Sequence, residues 1–165
     1  MMKFEFSKIT SRTIILITLF YSLSAIFFAL YYQYIKNFPP CELCIYQRIP
    51  YFLSILICVV YLKNFLTTKL SLLLLSISFI VSFLISGFHV GVEKKYWNFR
   101  SGCSSNTDSF ENIDQLRAFL EKVEIVKCDE VILSFYGISM AQGNMLISLF
   151  LSIILTFLTF KNYYK

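Results

Sequence analysis

The chain has 165 residues and a net charge of +5; 57% of its residues are hydrophobic, 18% aromatic and only 15% charged. That balance excludes an ordinary soluble globule, in which about a quarter of residues carry charge. It leaves one membrane domain, 1–165, with no charge pattern suggesting nucleic acid as a partner.

The first uncharged run, 13–35, holds 23 residues, enough to cross ~30 Å of hydrocarbon at about 1.5 Å per residue. Lys3, Lys8 and Arg12 precede it, as in a signal peptide, but a cleaved apolar region is about 7–15 residues, so this is read as a retained helix. A short connection, 36–43, contains Pro39-Pro40 and the first cysteine. The next uncharged run, 49–62, has only 14 residues. Extending it back to Cys44 gives a second span, 44–62, because Arg48 near a helix end can snorkel to the interface. A third span covers 70–92, and a fourth, about 142–160, lies inside the 30-residue uncharged run 131–160. The expected fold is therefore an all-α integral membrane protein, a four-transmembrane-helix bundle with a short first outer loop (36–43) and a long second one (93–141).

Four spans put both termini on one side. That side, with the turn 63–69, carries seven Lys/Arg and one acid, whereas the other side carries eight Lys/Arg and nine acids. The positive-inside rule counts basic residues rather than net charge, so the totals do not decide. The dense flanking of the spans by the seven favours termini that face the cytoplasm.

Cysteines bear on the same question. Cys41, Cys44, Cys103 and Cys128 all fall outside the spans and on one side, opposite the termini, while Cys58 lies within the second span. Disulfides persist in a periplasm or comparable lumen and are rare in the cytosol, so the segregation supports the same orientation. Cys58 is 14 residues beyond Cys44, roughly 21 Å along a helix, beyond disulfide reach, and is read as an apolar core cysteine. A bridge from Cys103 to Cys128 would close a loop around 24 residues and stabilise by about 3.5 kcal/mol on chain entropy. Inside that loop, Ile113, Leu116, Phe119, Leu120 and Val123 recur at helical spacing, which predicts a short amphipathic helix over 112–123. Turn-forming residues flank Cys103, and an exposed disulfide there would be prone to exchange.

The segment PCELCIYQR, 40–48, carries the sharpest chemistry. The double proline presets an extended entry into a helix that starts near Cys44. Free N–H groups, the helix dipole and Arg48 four residues on all favour a thiolate at Cys44. Three readings remain open at this level: half of a zinc site completed by Cys103 and Cys128, a structural staple, or redox chemistry. If the pairs cycle, the electrons need a sink. Periplasmic thiol oxidants sit near −120 mV, above thiol pools at about −180 to −320 mV, so the final acceptor must be stronger than a thiol pool, and a lipid-soluble quinone meets that need. Arg48 would then support its developing oxyanion.

Three motifs in order make the chain similar to one family. PCELCIYQR (40–48), FHVGVEKKYWNFRSGC (88–103) and KCDEV followed by FYGISMA (127–141) resemble the DsbB family, bacterial membrane quinone reductases that reoxidise the periplasmic dithiol oxidase DsbA. The resemblance implies a quinone-dependent thiol–disulfide oxidoreductase in the inner membrane, with ubiquinone or menaquinone as cofactor and a DsbA-like thioredoxin-fold protein as partner. It implies that Cys41 and Cys44 form the quinone-coupled pair, with Cys44 contacting the quinone and Cys41 its exchange partner. Cys103 would be attacked by the reduced partner, and Cys128 would pass electrons to Cys41. Arg48 would support the quinone. His89, near the end of the third helix, has either a quinone or proton-handling role or a structural bond to backbone, and Gln33, at the end of the first helix, would lie near the same pocket. A non-enzymatic scaffold or transport subunit, its outer loops fixed by disulfides or zinc, is the competing expectation.

Overall fold

The computed structural model describes residues 2–99, 128, 134–135 and 137–163. Four helices stand among them: α1 (Met2–Tyr34), α2 (Glu42–Leu62), α3 (Thr68–Glu93) and α4 (Met140–Tyr163). All four are long and apolar enough to cross a membrane, because a spanning helix satisfies every backbone hydrogen bond internally where no water can. The protein is thus a four-span, all-α membrane protein. The amphipathic stretch expected over 112–123, and Cys103, lie outside the described residues.

Local chemistry sets the helix ends. Thr67, in extended conformation, caps α3, its hydroxyl accepting the Leu70 N–H at 3.4 Å. The turns after α1, α2 and α3 each contain one left-handed residue, Asn37, Asn64 and Lys95, the conformation that commonly ends a helix. Before α4, the two-residue strands β1 (Ser134–Phe135) and β2 (Ile138–Ser139) pair antiparallel, with Ser134 opposite Ser139, and Gly137 turns the chain at φ +82°. Ser139 then starts α4 through a reciprocal cap. Its hydroxyl accepts the Gln142 N–H at 3.1 Å and its own N–H donates to Gln142 Oε1 at 3.2 Å, the two-way arrangement of a capping box. The Ser139 hydroxyl also donates to Glu93 Oε2 at 2.6 Å, which ties the start of α4 to the end of α3.

Packing centres on α3, which contacts the other three helices and shares its longest interface with α4. Serines line these contacts: Ser54, Ser71, Ser78, Ser82, Ser86 and Ser148 are all buried. Small side chains let helix backbones approach closely, and interhelical hydroxyl bonds add to the packing. Ser78 and Ser54, for example, both donate to the Pro50 carbonyl at 2.8 Å. The largest apolar cluster joins Ile15, Ile57, Cys58, Leu72, Leu75, Phe79 and Leu155. Phe20, Phe27 and Phe157 point outward, each more than 60% exposed, which suits a lipid environment and would be costly in water.

Candidate functional site

The site grows from the first turn of α2. Cys41 is the N-cap: its extended backbone (φ −70°, ψ 165°) lets Sγ accept the Cys44 N–H at 3.3 Å. The cap therefore folds the dithiol onto itself, and the two sulfurs stand 2.9 Å apart with the Cys41 thiol donating to Cys44. Ser, Thr, Asp or Asn usually take this position; here the capping atom is a thiol sulfur.

From α3, His89 enters the same space, 4% exposed, with Nε2 3.7 Å from Cys41 Sγ. Its other nitrogen, Nδ1, is 2.8 Å from Gln47 Nε2. Among the described residues, both ring nitrogens face side chains, Cys41 and Gln47. Cys128 belongs to the same buried cluster as Cys41, Leu43 and Val92, with Phe99 and Cys44 packed against it. Burial pushes the Cys128 thiol up to about 11, while the N–H groups of Leu43 and Glu42 at the start of α2 oppose that shift. The hydrogen bond that Cys41 donates to Cys44, followed by burial, pushes Cys41 up to about 12, with His89 acting in the opposite direction.

A cleft of about 110 Å³ opens beside the pair, lined by Tyr32, Gln33, Phe38, Cys44, Arg48 and His89, with Pro39, Pro40 and Met140 among its other walls. Arg48, one turn beyond Cys44, donates from Nη1 to Gln33 Oε1 at 2.5 Å. That bond joins α1 to α2 and fixes the guanidinium at the cleft wall. Aromatic rings brace the end of α3 behind it. Trp97 stacks on Phe88 with centroids 5.3 Å apart, and it lies so close over Gly91 that a Cβ there would come within 2.3 Å of the ring.

Of the residues expected from sequence, Cys41, Cys44, Cys128 and His89 come together at the start of α2, and Arg48 and Gln33 meet at the cleft wall. Cys58 sits apart, fully buried, its thiol 3.6 Å from the Ile15 carbonyl. Gln47, Tyr51 and Asn144, which the sequence reading passed over, are part of the same assembly. Gln47 and Tyr51 lie three and seven residues after Cys44, on one helix face, a spacing that was available as a signal.

The donor set also tests the zinc reading. Cys41 Sγ, Cys44 Sγ and a His89 nitrogen lie within 4.8 Å of one another, so the reduced trio offers soft ligands. Zinc–sulfur bonds of ~2.3 Å in a tetrahedron hold two sulfurs about 3.8 Å apart; this pair, at 2.9 Å, would have to open by roughly 1 Å. Sulfur-to-sulfur exchange needs the opposite movement, a closer approach to about 2.05 Å.

Neighbouring thiols at one end of four helices able to cross a membrane are the arrangement that thiol–disulfide exchange in a membrane protein requires. The match to known proteins gives the family: the chain belongs to the disulfide bond formation protein DsbB family, whose family model matches residues 11–158. An uncharacterized protein of Rickettsia prowazekii (strain Madrid E) is 30% identical over 149 residues, covering 89% of this chain and 86% of its own length. The chain is accordingly a disulfide-generating membrane oxidoreductase in its general class.

Proposed function

We propose that the chain oxidises the dithiol of a periplasmic DsbA-like thioredoxin-fold protein and passes two electrons to a membrane quinone, with Cys103/Cys128 facing the partner and Cys41/Cys44 facing the quinone. The termini then face the cytoplasm of a bacterium and the loops 36–43 and 93–141 the periplasm, in accord with the dense basic flanks of the spans.

The carrying observation is that Cys41 and Cys44 line one cleft with Arg48 and His89 and also pack together with Cys128 in a buried cluster. One pair thus has a polar neighbour on the exchange side and a largely apolar opening on the other. The exchanges balance as follows. The partner's thiolate bonds to Cys103 and breaks the Cys103–Cys128 bond, leaving its electron pair on Cys128. Cys128 then bonds to Cys41 and breaks the Cys41–Cys44 bond, leaving the pair on Cys44. The partner's second thiolate bonds to its own sulfur and frees Cys103, and Cys103 bonds to Cys128 and breaks the Cys41–Cys128 bond, leaving that pair on Cys41; the Cys41–Cys44 bond re-forms when two electrons leave. Cys44, the third residue of α2, holds its charge near the positive end of the helix dipole, with Arg48 beside it in the cleft. Cleft residues fit a quinone: aromatic and proline faces suit a flat ring, and Arg48 and His89 suit its oxygens. A bound quinone supplies a lipid-soluble acceptor for two electrons and two protons.

Mixing Cys41→Ser protein with ubiquinone or menaquinone should produce a visible absorbance band, because Cys44 is then left as an unpaired thiolate in the cleft. Arg48→Ala should raise the apparent KM for quinone roughly tenfold, the scale of one charged hydrogen bond, with partner binding unchanged. No band, together with stoichiometric zinc in the wild-type protein, would instead support a scaffold with metal-held loops.

A further inference from the structure

A chain of side-chain hydrogen bonds runs from the dithiol into the bundle through three helices. His89 Nδ1 meets Gln47 Nε2 at 2.8 Å, Gln47 Oε1 accepts from Asn144 Nδ2 at 2.9 Å, and Asn144 Oδ1 accepts from both the Tyr51 and the Ser148 hydroxyls. Amide groups are one-way elements in such a chain, since each has a donor end and an acceptor end. Turning one around obliges its neighbours to turn as well. The chain therefore has a single polarity, and that polarity decides which nitrogen of His89 holds the proton.

Both ends demand the same polarity. At the inner end, two hydroxyls converge on Asn144 Oδ1, and a phenol is a far better donor than acceptor, so the carbonyl of Asn144 faces Tyr51 and its amino group faces Gln47. At the outer end, the one proton of the Cys41 thiol is directed to Cys44. Cys41 Sγ is then left to accept, from the Cys44 N–H and from the ring nitrogen 3.7 Å away. An acceptor sulfur requires a protonated Nε2; a donating Gln47 amino group requires a bare Nδ1. The two conditions describe one tautomer. Amides do not relay protons at neutral pH, so the chain conveys orientation and not protons.

We propose that Gln47, Asn144 and Tyr51 are positioning residues that hold His89 in the tautomer protonated at Nε2, aimed as a hydrogen-bond donor at the Cys41 sulfur. The consequence rests on the functional reading above: when a thiolate bonds to Cys128 and breaks the Cys41–Cys128 bond, the electron pair stays on Cys41, and the Nε2–H meets that charge without moving. A donor fixed beforehand stabilises the leaving thiolate at no cost of reorganisation.

The chain contains one histidine, so ¹⁵N-histidine labelling of the full-length protein in nanodiscs gives an NMR signal from His89 alone. The reduced wild-type protein should show a protonated Nε2 and an unprotonated Nδ1, in at least tenfold excess over the other tautomer, on the scale of a net hydrogen bond of ~1.4 kcal/mol. Gln47→Glu replaces the donor by an acceptor and should place a proton on Nδ1. Asn144→Leu releases Gln47 and should bring the two tautomers to within about threefold of each other, as expected for a weakened neutral bond. A wild-type signal protonated at Nδ1, or a wild-type pattern retained in Asn144→Leu, would overturn the inference even if Gln47→Glu fails to fold. Quinone turnover separates the two levels. A protonated Nε2 in a protein that transfers no electrons to quinone overturns the function and leaves the tautomer standing; active protein with a protonated Nδ1 does the reverse.

Discussion

The two halves of α2 hold cysteines that differ in everything except residue type. Cys44 lies in the first turn, where helix N–H groups turn to the sulfurs of Cys41 and Cys128, beside a second thiol and one turn from Arg48. Cys58 lies 14 residues further on, in the cluster of Ile15, Ile57, Leu72 and Leu155, where its thiol faces the Ile15 carbonyl at 3.6 Å. Both sit on the helix face that turns inward. What separates them is access to donors: a helix supplies free N–H groups only at its start, and packed apolar side chains supply none. A helix N-terminus gives a cysteine donors that the packed middle of the same helix withholds.

The widest break in this comparison comes from removing each thiol in turn. Cys44→Ala should abolish quinone-coupled oxidation, by roughly a thousandfold or more, since in the proposed route it removes the atom from which electrons leave the protein. Cys58→Ser should leave turnover within about twofold, because the two sites are distant enough to act independently, while lowering thermal stability, because a hydroxyl replaces a thiol in an apolar site. A large loss of turnover in Cys58→Ser would mean that the core half of α2 takes part in the chemistry.

A second, smaller effect concerns Cys128 in the reduced protein. Burial holds its thiol protonated up to about 11 instead of the ordinary 9.0. At pH 8 the thiolate is then about a hundredfold rarer than on an exposed thiol, partly offset by its greater nucleophilicity, so maleimide labelling should be roughly tenfold slower. The rate should climb with pH until about pH 11. The sign for stability follows: a raised thiol pKa means that the folded state retains a proton the unfolded state has lost, so this contribution is complete below pH 9 and fades as pH rises towards 11. Labelling at pH 8 as fast as that of an exposed cysteine would show that Cys128 is not held in the cluster.

The smallest effect tests how the site end is fastened. Ser139→Ala removes the cap of α4 and the hydroxyl that Glu93 accepts, and should lower stability by about 1–2 kcal/mol without changing the quinone band of the Cys41→Ser background. Ser139→Thr, which keeps the hydroxyl, should recover most of the loss, and urea or thermal melts in detergent would show both.

Much of this architecture is readable without coordinates. Spans depend on the summed hydropathy of neighbouring residues, and the dithiol at the start of α2 depends on Pro39-Pro40 and a helical phase, all local in sequence. The pairing of Cys44 with Arg48 is equally local, one turn apart. The Ser-x-x-Gln signature of the α4 cap, Ser139 to Gln142, is also written in the chain, and went unused because polarity counts gave no weight to capping.

Other parts become visible only in three dimensions. His89 meets Cys41 across 48 residues, and Asn144 meets Gln47 across 97; no local pattern joins them. Gln47 and Asn144 look like ordinary polar residues near helix ends until the register of α3 against α2 and α4 brings their amides into line. The four crossings and the dithiol turn are local properties, because hydropathy and helix capping act between near neighbours. Tertiary structure alone decided which side chains surround that turn, because helix packing chooses one rotation and one depth for each helix out of many that hydropathy would allow equally.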